Sequence, residues 1–174
     1  MNSLHESGCA MGVGTLAAPE RLLLWAMRAW SAYHSDLTAV WWSLDRAFTQ
    51  EGIHSALPSF HHVMSALFAG LKRWPDIRCV QCPRLGADEA RLLSVFARLQ
   101  HDNEVGARHA LQGWVVRSAA RVMCERAVEC VGIASSAGLR FTFSQSSEGL
   151  QEAASTCARF QGPKPAANAD LPVH

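Results

Sequence analysis

The sequence predicts a mainly α-helical protein, with a single bundle-like domain of about five helices, a small extended ribbon and flexible termini. Apolar residues recur at three- and four-residue steps through most of the chain, which is the period of a helix that buries one face. Only residues 139–143 alternate as a strand does. We therefore divide the chain into a flexible N-terminal segment (residues 1–18), a helical domain (residues 19–143) and a mostly disordered C-terminal tail (residues 144–174).

Each of the first three predicted helices carries one apolar stripe. The first spans about residues 20–33 and places Arg28 on the face opposite its apolar residues. The second follows the N-cap residue Asp36 and stops near Gly52. The third begins at Pro58, because proline suits the first turn of a helix. Short links between these helices favour antiparallel packing.

Two further helices follow an irregular connection. The fourth starts with Asp88 and Glu89, whose negative charges are favourable at the positive N-terminal end of a helix. The fifth spans about residues 104–135, and we expect a bend at Gly113. A single strand is not stable alone, so we expect residues 139–143 to pair with residues 76–80 as the small ribbon.

Composition limits the class of protein. Apolar residues make up 49% of the chain, enough for a sizeable core, while the charged fraction of 18% favours some exposed apolar area. A net charge of +1 argues against a strong field that gathers nucleic acid or anionic lipid. We find no secretory signal and no stretch able to span a bilayer. Six unevenly spaced cysteines fit a reducing compartment, so we expect a cytoplasmic protein.

The connection before the fourth helix holds the only closely spaced cysteine pair, Cys79-Val-Gln-Cys82. Thiolates at this spacing bind zinc at about 2.3 Å and supply half of a tetrahedral site. We take His101 and His109 as the candidates for the two missing ligands. The wider pool of candidate ligands contains His61, His62, Cys124 and Cys130.

Two other interpretations of the cysteine pair stay open. The first is a redox pair, although thioredoxin-type proteins place the first cysteine at the start of a helix and here the helix begins several residues after Cys82. The second is that Cys79 and Val80 pack the ribbon against the helices, because free cysteine is among the most buried residue types.

Tryptophan and arginine residues indicate a partner-binding surface. Trp25 and Trp42 each share a helix with another tryptophan, so we expect them at the edge of the core. Arg91 and Arg98 are seven residues apart and line one side of the fourth helix, where we expect a solvated face rather than an anion site. Aromatic residues and arginine are enriched at protein interfaces. These four residues are therefore the predicted contacts for a protein partner or for self-association.

The preferred function is a non-enzymatic cytoplasmic accessory or adaptor protein, with a structural zinc ion as the possible cofactor of the cysteine pair. One alternative is a thiol-based redox enzyme or sensor that uses Cys79 and Cys82. A second is a weak nucleic-acid-binding regulator with a helix-turn-helix over residues 87–121, although Trp114 and Val115 would then replace polar base readers. No catalytic residue is predicted, because no stretch matches a nucleophile elbow, a phosphate loop or a Glu-x-x-His pair.

Overall fold

The computed structural model describes residues 12–143 and contains six α-helices there, which confirms the mainly α fold class. The helices are α1 (Ala18–Ala32), α2 (Thr38–Gln50), α3 (Leu57–Gly70), α4 (Ala87–Gln100), α5 (Glu104–Leu111) and α6 (Arg117–Ser136). The predicted disordered tail and residues 1–11 of the predicted N-terminal segment lie outside the described residues. In the described part of the chain, no helix combines the length and the apolar character needed to cross a membrane.

The centre of the domain is the contact between α3 and α6. The buried face of α3 includes Phe60, Met64 and Leu67, and these large side chains pack in the same core as small residues of α6 such as Ala127. Each fully buried large apolar side chain contributes about 1.5–3 kcal/mol. Gly70 ends α3 so close to α6 that a Cβ added there would collide with a side chain of that helix. The small side chains of α6, such as Ala119, permit this close approach.

Helix α1 is buried on almost every side, because it contacts α2, α3 and α4. The face opposite the apolar residues, where the sequence places Arg28, is therefore buried as well, since Arg28 is only 2% exposed. The apolar period of α1 identifies one buried face correctly, but α4 and the connection before it cover the opposite face. Arg28 is compatible with this position only because its charge has partners there.

The predicted fifth helix is two helices, α5 and α6. Gly113 has a φ of +77°, a left-handed conformation that interrupts a helix. The chain after it pairs with the end of α3: Leu71 and Val115 form an isolated antiparallel bridge, and Val116 donates its N–H to the Gly70 carbonyl oxygen over 2.9 Å. The expected bend is therefore a complete break, made by a tertiary contact.

The ribbon predicted between residues 76–80 and 139–143 is not formed, and no strand occurs within residues 12–143. Side chains take the backbone donors that a ribbon would use. Arg78 donates its N–H to Glu89 Oε1 over 2.8 Å. Thr142 donates its N–H over 2.6 Å to Glu20 Oε1 in the first turn of α1, 122 residues earlier in the chain.

Residues immediately before α1 pack on the helices. Leu16 belongs to the buried core, and Val13 donates its N–H to the Pro83 carbonyl oxygen over 2.9 Å. Gly12 forms an isolated bridge with Arg84. The described part of the predicted N-terminal segment therefore borders the connection that carries the two cysteines, while the domain limits themselves stay predictions.

Candidate functional site

The predicted cysteine site is a turn on the connection between α3 and α4. Cys82 donates its N–H to the Cys79 carbonyl oxygen over 3.0 Å, which closes the turn. Both thiols are free, Cys79 is exposed and Cys82 is partly exposed. The interpretation in which Cys79 packs against the helices is therefore wrong, whereas Val80 does pack partly against the core.

A buried ion pair between α1 and α4 anchors this turn. Arg28 Nε lies 2.7 Å from Glu89 Oε1, and Arg28 Nη2 lies 2.8 Å from Glu89 Oε2. The same guanidinium donates to the carbonyl oxygens of Cys82 over 2.7 Å and Arg84 over 2.8 Å. The hydrogen bonds that Arg28 donates to the Glu89 carboxylate raise the pKa of Arg28 despite its burial. A permanent positive charge therefore lies beside the cysteine turn.

The two acidic residues at the start of α4 hold the whole connection. Glu89 accepts the Gly86 N–H over 2.6 Å at the beginning of the helix, as the helix-start interpretation predicts. It also accepts the Arg78 N–H, so it has partners well beyond its own helix. Asp88 forms a bidentate pair with Arg73, with distances of 2.7 and 2.8 Å. Both carboxylates are fully buried, so they stabilise the connection before α4 as well as the start of the helix itself.

The predicted metal ligands are not brought together. His101 and His109 are both exposed and line two cavities beside α4, away from the cysteine turn. No group of three or more His, Cys, Asp or Glu side chains within residues 12–143 is arranged to hold a metal ion. Cys124 and Cys130 are buried in α6, where burial raises the pKa of both thiols. Zinc at the cysteine pair stays a prediction.

A chain of contacting aromatic rings crosses α1, α2 and α3. Trp41 meets His61 at a centroid distance of 5.7 Å, and His61 meets Trp30 at 5.9 Å. Trp30 in turn contacts Phe68 at 5.3 Å, and Phe68 contacts Trp74 at 6.4 Å. We use the name aromatic surface for these five residues together with His34, which stacks on Phe68, and Trp42, which follows Trp41.

The outer members of the aromatic surface face solvent. Trp42 is 81% exposed and Trp74 is 76% exposed, while Trp41 is exposed to a smaller degree. Trp30 is buried and packs beneath the exposed rings, in contact with His61 and Phe68. Both tryptophans that were expected at the edge of the core lie there, since Trp42 is mostly exposed and Trp25 is partly buried against the core. Two large aromatic side chains are thus held in water, which is costly for a surface without a partner.

His61 connects the buried and exposed parts of this surface. Its Nδ1 atom accepts the Trp30 Nε1–H over 3.1 Å, which assigns the proton of the neutral ring to Nε2. Burial lowers the pKa of His61, and the neighbouring His62 lowers it further. The neutral form of His61 is therefore favoured, and its hydrogen bond with Trp30 fixes the orientation of the imidazole between Trp30 and Trp41.

The predicted arginine contacts lie elsewhere, in a cavity of about 200 Å³ between α4 and α5. Arg91 and Arg98 line this cavity together with His109, and none of the residues of the aromatic surface does. The prediction that tryptophan and arginine side chains form one surface is therefore not supported by their positions. The cavity is a separate candidate site.

The helix-turn-helix considered over residues 87–121 is not formed. Trp114 and Val115 are buried in the non-helical link between α5 and α6. Trp114 instead lies below the guanidinium of Arg91, which is 5.5 Å from its ring centroid. The base-reading element of that interpretation is absent from the described residues, and nucleic-acid binding by another surface stays a prediction.

Two features escaped the sequence analysis. The pair of Arg28 and Glu89 is one, and an arginine inside the most apolar stretch of the chain was its only available signal. The role of His61 is the other, and it depends on the mutual orientation of three helices. Comparisons of the chain with protein-family models, with curated proteins and with solved structures found no match.

Proposed function

We propose that this chain is a non-enzymatic accessory or adaptor protein that binds another protein through its aromatic surface. The observation that carries the proposal is the exposure of Trp74, at 76%, at one end of a connected set of rings that ends at Trp41 on the other side. Trp42, which follows Trp41 in the chain, is 81% exposed. Tryptophan is enriched among the residues that dominate binding energy at protein interfaces. A tryptophan that becomes buried removes about 150–250 Å² from water.

The border of the aromatic surface favours a protein as the partner. Asp45 and Arg46 lie one helical turn beyond Trp42, and Lys72 and Arg73 precede Trp74. Both signs of charge are therefore present around exposed aromatic side chains. An apolar centre with a mixed polar rim is the arrangement of protein interfaces, whereas a nucleic-acid surface has a strong excess of positive charge.

Site-specific photocross-linking tests this proposal in the cells that make the protein. A photoreactive phenylalanine analogue replaces Trp42 in one variant and Val105, which is 83% exposed on α5, in the matched control. We expect a cross-linked product of defined mass at position 42 and none at position 105. A product with the mass of two chains would identify a second copy as the partner.

The captured partner is then purified and titrated against the wild-type chain and the Trp42→Ala and Trp74→Ala variants. We expect each substitution to raise the Kd at least about ten-fold, as at an interface hot spot. The free energy of unfolding should change by less than about 0.5 kcal/mol, because an exposed side chain contributes little to folding. Equal labelling at positions 42 and 105, or unchanged binding by both variants, would contradict the proposal.

A second candidate function is a dithiol redox sensor. It is supported by the exposure of Cys79 and by the turn that brings it near Cys82, beside the charge of Arg28. Oxidation by glutathione disulfide would join the two sulfurs, with the loss of two protons and two electrons, and would release two glutathione thiols. Equilibration in glutathione buffers of stated potential, followed by mass spectrometry, measures the midpoint potential. A disulfide that forms only under strongly oxidising conditions would contradict a sensor role.

We place the protein in the cytoplasm and keep a structural zinc ion at the cysteine turn as part of the proposal. Free thiols at Cys79 and Cys82 persist in a reducing compartment. Zinc would need two ligands besides these cysteines. Cell fractionation tests the compartment, and elemental mass spectrometry of protein purified without a histidine tag tests the metal. The Cys79→Ser, Cys82→Ser double variant is the control and should carry no zinc.

A further inference from the structure

The cavity between α4 and α5 is lined by hydrogen-bond donors and by positive charge. Arg91 and Arg98 contribute their guanidinium groups, His109 contributes its imidazole and Gln112 its side-chain amide. No aspartate or glutamate is among the described residues that line it. A volume of about 200 Å³ is enough for a group of the size of phosphate or sulfate together with water.

Arg98 is positioned without a carboxylate. Its Nε atom donates to Ser94 Oγ over 3.0 Å, one turn earlier on α4, and this bond fixes the side chain. Its Nη1 atom lies against Gly106, where an added Cβ would be 2.6 Å away. No carboxylate of the described residues is within 4.0 Å of its guanidinium. The remaining N–H donors of Arg98 are therefore available to a ligand.

Arg91 brings a second charge that is only partly balanced. Its side chain is 20% exposed, and the guanidinium lies 5.5 Å from the centroid of the Trp114 ring. Burial lowers the pKa of Arg91, which is the expected effect of removing a cation from water. Asp88 is 4.0 Å away, but it already forms the closer bidentate pair with Arg73. The carboxylate of Asp88 therefore balances the charge of Arg91 only in part.

These positions differ from the solvated arginine face that the sequence predicts. Arg117 and Arg121 of α6 do not line the cavity, so it is not a broad basic patch. A second cavity of about 290 Å³ shares Ser94 and Arg98 with the first and is lined in part by Phe141 and Phe143. A ligand with an anionic group in the first cavity would therefore have space for a further part beside Arg98, where polar side chains such as Asn103 and Thr142 accompany the two phenylalanines.

We propose that the cavity between α4 and α5 is a binding site for the oxyanion group of a small phosphorylated or sulfated molecule. Arg91 and Arg98 bind the anion through charge-assisted hydrogen bonds, and His109 and Gln112 donate from the α5 side. Guanidinium groups match the geometry of phosphate and sulfate oxygens. This site is independent of the aromatic surface, and either proposal can fail without the other.

Isothermal titration of the full chain with inorganic phosphate, and separately with sulfate, tests the site at fixed ionic strength. We expect saturable binding of one anion per chain. Arg98→Gln should raise the Kd at least about ten-fold, because a charge-assisted hydrogen bond is lost. The matched control is Arg121→Gln, which removes the same charge from an exposed position on α6 and should change the Kd less than about two-fold.

A second variant keeps the charge and displaces the arginine. In Gly106→Ala the new methyl group would lie 2.6 Å from Arg98 Nη1 and as close to the side chain of Asn103, which caps α5, so binding should weaken although net charge is unchanged. Far-UV circular dichroism confirms that each variant is folded. No saturable binding of either anion up to about 10 mM would overturn the proposal, and so would equal weakening by Arg98→Gln and Arg121→Gln. Arg98-dependent binding to phosphatidic acid vesicles without binding of free phosphate would overturn it in favour of a membrane surface.

Discussion

Arg28 and Glu89 join α1 to α4 through two parallel hydrogen bonds of 2.7 and 2.8 Å, at positions where their side chains are 2% and 0% exposed. A buried ion pair is tolerated only when the remaining donors and acceptors are also satisfied. Here the guanidinium also reaches two carbonyl oxygens of the cysteine connection, and Glu89 also accepts two backbone N–H groups. One pair of residues thus links two helices and an irregular segment.

Glu89→Gln should destabilise the protein by about 3–5 kcal/mol, because the substitution leaves the charge of Arg28 buried without its counterion. Urea titration followed by circular dichroism at neutral pH measures the free energy of unfolding. The control is Glu125→Gln, which breaks an exposed pair with Arg121 at 3.8 Å and should cost less than about 1 kcal/mol. Similar losses in both variants would show that burial of the first pair has no energetic consequence.

Gly70→Ala should destabilise the protein by about 1–3 kcal/mol, because the added methyl group collides with Ala119 and forces α3 away from α6. Gly132→Ala on α6 is the matched control. An added Cβ at Gly132 has no neighbouring atom within 4 Å, so this change should stabilise the helix by about 0.5–1 kcal/mol. Thermal unfolding of both variants checks the opposite signs, and a stabilising Gly70→Ala would contradict the close approach.

Acidification should weaken the fold through His61. Its pKa is lowered in the folded protein from the ordinary value of 6.5, so the unfolded chain binds a proton first as the pH falls. The stabilising contribution is complete above about pH 6.5 and is lost as the pH falls through the folded pKa. We expect His61→Gln to lose less thermal stability than the wild type between about pH 7 and pH 5. The control is His101→Gln, at an exposed position, which should lose as much thermal stability as the wild type over the same pH range.

Alkylation should separate the described cysteines into two classes. Cys79 should react with iodoacetamide first, whereas Cys130 should react only on unfolding, because burial raises its pKa to about 12. Mass spectrometry of peptides after timed quenching measures each site. If zinc is bound, Cys79 and Cys82 should be protected until a chelator removes the metal. Equal rates at Cys79 and Cys130 would contradict the burial of α6.

Local periodicity predicted most of the fold. The predicted first helix, residues 20–33, corresponds to Ala18–Ala32, and the fourth begins at Ala87, immediately before the predicted Asp88 and Glu89. The fifth failed because its break is made by pairing of Val115 with Leu71, a contact between distant parts of the chain. A glycine in a helical pattern indicates a weak point, but only the tertiary contact decides whether the helix bends or ends there.

The candidate sites were less predictable than the helices. The expectation that Trp42 lies at the edge of the core follows from its sharing a helix with Trp41, and its exposure confirms it. The burial of Arg28 was not predicted because its partner Glu89 is 61 residues away, beyond any local pattern. The separation of Arg91 from the exposed tryptophans depends on how α4 packs against α5. The periodicity of apolar residues does not specify this packing.

The hydrogen bond from Thr142 to Glu20 has a consequence for the order of events during synthesis. Its acceptor is made 122 residues before its donor, so the ribosome needs roughly six seconds or more at 5–20 residues per second to supply both. Until then α1 exists without this contact, and for most of that time α6 is also missing from the core. Apolar faces of the early helices are therefore exposed on the nascent chain, and their packing against α6 waits for α6 to emerge.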